Sequence, residues 1–294
     1  MSEIFNFLKK TEAERRKNQF VQEPALNVPL EESPLHEFEE APLNPEARET
    51  VPAEIEICKG DRFDLTGASP QLRSVLHSLT AVGEQFRLLR SRLALMQKQS
   101  GIKTVLITST APGEGKTFTA SCLAGVFAQE SGKRVVLIDA DLRKSMSGRN
   151  FGINPAGSGL SEVLRGNIEF GGALLTSMNP EFCFLPAGPV PPNPSELLSS
   201  PRLEQLLRSA ADYFDWVIVD SPPILSISDT TIIAPLCDTV LLVVRASSTP
   251  SKLVQESIDR IGRDHIGGVV LNRQKQVHSS RYYYEYYYRS SKRR

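Results

Sequence analysis

Five short, β-branched apolar runs, each followed by a stretch with helical spacing, constrain this chain more than any other feature. They are "TVLITS", "RVVLIDAD", "WVIVDSPP", "TVLLVVRA" and "IGGVVLNR". Runs this short, without polar alternation, read as strands buried on both faces. A parallel sheet covered by helices provides that environment. The expected fold is therefore α/β, a doubly wound, mostly parallel sheet with its ligand at the carboxyl ends of the strands. Ahead of the first run, "LHSLTAVGEQFRLLRSRLALM" places Leu79, Val82, Phe86, Leu89 and Leu93 at helical spacing.

The flanks have a different texture. Residues 20–70 contain seven prolines, and residues 21–70 hold twelve Asp/Glu against three Lys/Arg, with no helix or strand period. That composition predicts a disordered acidic linker. Residues 3–18 can form a short amphipathic helix with Ile4, Phe5 and Leu8 on one side. Such a helix is either frayed or a docking or membrane-surface element. The expected domain plan is a largely disordered region over 1–70, a folded domain over 71–274 and a flexible basic tail over 275–294. That tail carries Tyr282, Tyr283, Tyr284, Tyr286, Tyr287 and Tyr288 among six Lys/Arg and one Glu. A basic-aromatic stretch without a folded platform makes a poor nucleic-acid site, and no nucleic-acid partner is expected.

Cys58, Cys122, Cys183 and Cys237 are scattered, with no CxxC and no zinc spacing. The pattern argues for a reduced, cytosolic compartment and against a disulfide framework or zinc site. No apolar run approaches the roughly 18 residues that span a bilayer. Any membrane association is expected to be peripheral.

The first strand, Thr104–Thr108, runs into "STAPGEGKT" and then the helical "FTASCLAGVFAQ". Strand, Gly-rich loop, Lys-Thr and helix are the context a phosphate-binding P-loop requires. Gly113 and Gly115 let backbone N–H groups approach phosphate oxygens. Lys116 brings a cation to the β and γ phosphates, Thr117 offers a hydroxyl to Mg²⁺, and the helix N-terminus adds its dipole. Pro112, Glu114 and Phe118 complete the expected nucleotide cradle. The strict pattern wants Gly at position 110, where this chain has Thr110. Two acidic strand ends follow, one with Asp139 and Asp141, the other with Asp220. Carboxylates at the tips of apolar strands are costly to desolvate unless paired or bound to a cation. Three of them near one P-loop suit an ATP site with Mg²⁺, although Asp141 alone could be a helix cap. Asp229 is most simply a helix N-terminal residue.

These residues resemble the bacterial tyrosine kinases that serve polysaccharide export. Pro112–Thr117 matches the family's Walker A form, Val136–Arg143 its DxDxR segment, and Val217–Asp220 with Pro222 and Pro223 its DxPP segment. Glu84, Arg87 and Arg90 match an ExxRxxR motif, and "PAGPVPPNPSELL" a further family loop. The resemblance covers about residues 75–294. It implies an ATP-dependent autokinase of the P-loop type that phosphorylates its own tyrosine cluster in trans. Lys116 would bind phosphates, Thr117, Asp141 and Asp220 would hold Mg²⁺, and Asp139 would accept the tyrosine proton. Asn272 is expected to contact adenine, and Arg143 either neutralises phosphate or caps its helix. Glu84, Arg87 and Arg90 would join subunits into a ring. The implied partners are further copies of the chain, a membrane-bound chain-length-determinant activator and a phosphotyrosine phosphatase. The implied location is cytoplasmic, at the inner face of the cell membrane. The closest rival is a partition or division-site ATPase switch without kinase activity. That class needs a second lysine in the loop, where this chain has Ala111.

Overall fold

The computed structural model describes residues 60–77, 80–154 and 157–274. Among them, eight strands build one sheet: β1 (Arg62–Phe63), β2 (Thr104–Ser109), β3 (Val135–Asp139), β4 (Leu175–Met178), β5 (Glu181–Leu185), β6 (Trp216–Asp220), β7 (Thr239–Arg245) and β8 (Ile266–Asn272). Their order is β1-β4-β5-β3-β6-β2-β7-β8. The six strands from β5 to β8 in that order run parallel. β4 is antiparallel to β5, and β1 follows β4. The five apolar runs are β2, β3, β6, β7 and β8, five adjacent strands of this parallel part, but β8 lies at the sheet edge and is only partly buried.

Each central strand sends alternate residues to opposite faces, as the two-residue period requires. Val105, Ile107, Leu137, Trp216 and Ile218 enter one apolar cluster with Leu72, Phe86 and Phe127. Leu106, Val136, Ile138, Val217 and Val219 enter the other, with Leu164, Leu203, Leu207 and Phe214. The first face is two helices deep. The helix Lys116–Ala128 buries Thr119 through Phe127 without a polar side, because the helices Pro70–His77 and Ala81–Ser100 cover it from outside. Phe127 stacks on Trp216 with ring centroids 4.2 Å apart. Gly125 leaves room for Leu76, since a Cβ there would lie 2.6 Å from Leu76 Cδ2.

The helical pattern ahead of β2 is two helices rather than one. Thr80 interrupts it: its hydroxyl accepts from Gly83 N at 3.1 Å and caps Ala81–Ser100. Phe86 and Leu93 are buried as their spacing predicts, but Val82, in the first turn, is 50% exposed. Leu79 lies outside the described residues. The folded unit also begins earlier than residue 71. β1 pairs with β4, and Leu65 and Ala68 are core residues. Cys122 and Cys237 are buried free thiols. The expectations for 1–59, including a helix over 3–18, and for the tail over 275–294 lie outside the described residues. No helix of the described residues is long and apolar enough to cross a membrane.

Candidate active site

The carboxyl ends of β2, β3 and β6 bring the predicted residues together. The loop after β2 turns through Gly113 (φ 78°) and Gly115 (φ 101°) into the helix Lys116–Ala128. The second of these angles is open to glycine and strained for other residues. A Cβ at Gly115 would also meet Asn272 Nδ2 at 2.1 Å. Lys116 extends over the sheet edge. Its Nζ lies 3.1 Å from Asp141 Oδ2, 3.6 Å from Asp220 Oδ1 and 3.1 Å from Thr117 Oγ1.

Asp139 and Asp220 stand side by side, partners in the β3–β6 register, and both are 0% exposed. Asp139 Oδ1 accepts from Asp141 N at 3.1 Å. Its Oδ2 accepts from Ser145 Oγ at 2.7 Å and Ser147 N at 3.4 Å. Burial raises its pKa, against the opposing effect of Ser145, Ser147 and Lys116. Asp220 Oδ2 accepts from Ser147 Oγ at 3.4 Å, while Oδ1 is buried without a hydrogen-bond partner. Burial pushes Asp220 up to about 7, with Asp139 and Asp141 adding to the rise and Lys116 and Thr117 opposing it. Asp141, 5% exposed, accepts from Lys144 N at 3.0 Å as well as from Lys116. Burial alone would lower the Lys116 pKa, but Asp220 and Asp141 outweigh it and the net direction is upward.

This donor set fits a divalent cation of the Mg²⁺ kind. Asp220 Oδ1 is a buried oxygen without a hydrogen bond, with only the Lys116 ammonium 3.6 Å away to offset its charge, beside the Thr117 hydroxyl and the Asp141 carboxylate. Mg²⁺ takes few protein ligands and keeps water and phosphate oxygens for the rest. Among the described residues, no group of three His, Cys, Asp or Glu is placed to hold a metal by itself. A site completed by substrate phosphates is consistent with that.

Other predicted residues have different surroundings. Phe118 packs edge-on against Phe86. Arg143 is engaged by the start of another helix. Its Nε and Nη2 bind Asp229 at 2.8 and 3.2 Å, and Nη2 also donates to Ser195 Oγ at 2.8 Å. Asp229 begins the helix Asp229–Ile233 as expected, but is buried against Arg143. Asn272 was expected to face adenine, yet both ends of its amide are engaged within the chain. Nδ2 donates to Glu114 O at 2.8 Å, and Oδ1 accepts from Arg273 N at 2.8 Å. The motif at 84–90 divides. Glu84 and Arg87 form an ion pair at 2.8 Å on their own helix. Arg90 turns inward, donating to Val126 O at 2.8 Å and lying 3.0 Å from Glu130 Oε1. It caps the far end of the phosphate-loop helix. Ser145, Ser147 and Thr249 are site neighbours that sequence reasoning missed, because nothing local marks them.

A family model described as an AAA domain matches residues 102–263. Tyrosine-protein kinase YwqD of Bacillus subtilis is 36% identical over 203 residues, 68% of this chain and 85% of that protein. Tyrosine-protein kinase wzc of Salmonella typhimurium is 37% identical over 227 residues, 75% of this chain. The chain spans only 31% of that longer relative. The kinase domain of Escherichia coli tyrosine kinase ETK superposes with a TM-score of 0.65 at 35% identity, over 72% of this chain and 84% of that one. The chimerical protein CapA2B2 gives a TM-score of 0.65 at 28% identity, over 74% and 93%.

Proposed function

Since this chain belongs to the family of bacterial tyrosine-protein kinases, we propose that it transfers the γ-phosphoryl group of ATP to tyrosine hydroxyls, first those of its own C-terminal cluster. The observation that carries the reading is the Lys116 ammonium, held between Asp141 and Asp220 at the mouth of a glycine-turned loop. Phosphoryl transfer asks a protein mainly to position groups and offset charge. The loop amides and Lys116 would bind the phosphates. Thr117, Asp220 and Asp141 would hold Mg²⁺, which when bound screens the phosphate charge. Lys116 would then leave Asp141 for the phosphates.

A tyrosine hydroxyl, pKa about 10, needs an acceptor for its proton. Asp139 is the acceptor in this reading. Its raised pKa suits it to take a proton, and its Oδ2 already accepts from a hydroxyl, that of Ser145 at 2.7 Å, as it would from a tyrosine. The acceptor tyrosines would come from a neighbouring copy, with Glu84 and Arg87 at the contact. Each phosphate adds about −1.5 to −2 of charge, so full modification would reverse the tail's sign and loosen the assembly. The wider setting in this reading is polysaccharide synthesis, with a membrane-bound activator and an opposing phosphatase.

The test is a phosphotyrosine blot on the purified chain given ATP and Mg²⁺, with an activating partner present. Label on the wild type and none on Lys116→Met is the expected result. Hydrolysis of ATP without phosphotyrosine would sink the kinase reading. Mixing Lys116→Met with an active chain lacking 275–294 tests direction: label on the Lys116→Met chain means transfer between copies, and no label means transfer within one.

A further inference from the structure

Glu114 is an odd residue for a loop that must receive phosphates. Its carboxylate is negative, like the expected ligand, and the residue is 3% exposed. The structure turns that charge onto neighbours. Oε2 accepts from Ala111 N at 3.0 Å, and Oε1 accepts from Thr249 Oγ1. The Glu114 carbonyl accepts from Asn272 Nδ2. The two partners are themselves joined, because Ala246 N, at the start of the turn carrying Thr249, donates to Asn272 O at 2.8 Å. Three segments distant in sequence thus close a ring: the phosphate loop, the turn after β7 and the end of β8.

Two further observations mark this ring as more than ordinary packing. Ser247 (φ 58°) and Arg273 (φ 55°), the described non-glycine residues with positive φ, sit beside Thr249 and Asn272 respectively. Backbone strain of this kind persists where the surroundings over-determine it, and it gathers at functional sites. In addition, the loop lacks the glycine expected at position 110. Thr110 is buried there, and its hydroxyl accepts from Ser257 Oγ at 3.2 Å. The loop's shape is therefore imposed from outside by side chains of the C-terminal third.

We propose that Thr249 and Asn272 are positioning residues for the phosphate loop, acting through Glu114, and that they couple loop occupancy to the root of the tyrosine-bearing segment. Arg273 follows Asn272 directly, and the segment from 275 onward departs from there. A phosphate entering the loop must keep or shift the Glu114 carbonyl and carboxylate, and either change is felt at β8 and at the turn after β7. This rests on the reading of the loop as a nucleotide site.

The experiment titrates a fluorescent ATP analogue with Mg²⁺ into the full chain and its variants, alongside their melting temperatures. Amide exchange of residues 266–274 is followed with and without the analogue. Thr249→Val and Asn272→Ala should each weaken binding by about tenfold, the loss of one well-made hydrogen bond. Thr249→Ser, which keeps the hydroxyl that donates to Glu114, should bind as the wild type does. The analogue should slow exchange over 266–274 in the wild type, and much less in Thr249→Val. Wild-type affinity in both Thr249→Val and Asn272→Ala would overturn the coupling. So would unchanged exchange over 266–274 on binding, or a loss that tracks melting temperature equally in conservative and disruptive variants. No binding by the wild type would overturn the nucleotide reading itself, and the coupling with it.

Discussion

At the scale of single residues, the site is governed by where carboxylates are buried. Asp220 holds a raised pKa near 7 because burial disfavours its charge. The sign of the consequence follows. A folded-state pKa above the unfolded value favours folding at low pH, and that contribution is lost as pH rises from about 4 through about 7. Asp220→Asn removes the buried charge. Without Mg²⁺ and nucleotide, that variant should be more stable than wild type at pH 8, with the gap closing as pH falls toward 5. Urea titrations at several pH values measure this directly; a gap independent of pH would refute it. The residue types of the site were legible in the sequence, because a strand, a glycine loop and Lys-Thr are contiguous. Their partners were not. Arg143 meets Asp229, Glu114 meets Thr249, and Asn272 meets Glu114 across 86, 135 and 158 positions, so no local pattern announces them.

At the scale of elements, the strands buried on both faces announced themselves, because nothing polar interrupts them. The β4–β5 hairpin did not. Thr176, Ser177 and Glu181 interrupt the apolar pattern of its strands, which are joined through Asn179-Pro180, although Thr176 and Ser177 are buried. The two-residue β1 is too short to carry a period. The helix Ala81–Ser100 was legible as a helix, but its motif was expected to present one face to a neighbouring subunit. The structure gives Arg90 an internal duty. Arg90→Ala should therefore lower the stability of the isolated chain by about 1–2 kcal/mol, the usual loss for a charged hydrogen bond. Arg87→Ala removes a surface ion pair worth about 0.3–0.5 kcal/mol and should leave stability nearly unchanged. Denaturant melts separate the two. If Arg87 contacts a neighbour, its variant should instead change mass in light scattering. Equal stability losses in both variants would contradict this division of labour.

At the scale of the whole molecule, the folded unit includes residues that composition assigned to the linker. Leu65 and Ala68 belong to the same apolar core as Leu72 and Phe151. A chain beginning at residue 71 should melt several degrees below one beginning at residue 60. Calorimetry distinguishes them, and equal melting would return the boundary to residue 71. The tail supplies the complementary test. Replacing all six clustered tyrosines with Phe should leave an assembly that ATP does not dissociate, as read by size-exclusion chromatography with light scattering. Dissociation by ATP in that variant would remove the charge-reversal mechanism.

Trp216 is the single tryptophan of the chain, and its ring lies on Phe127, one residue before the phosphate-loop helix ends. The indole is thus a built-in optical probe, free of background from any other. Its emission reports whether the helix that begins at Lys116 stays seated on the sheet. Nucleotide titration, unfolding and assembly can all be followed at one wavelength, with no label attached.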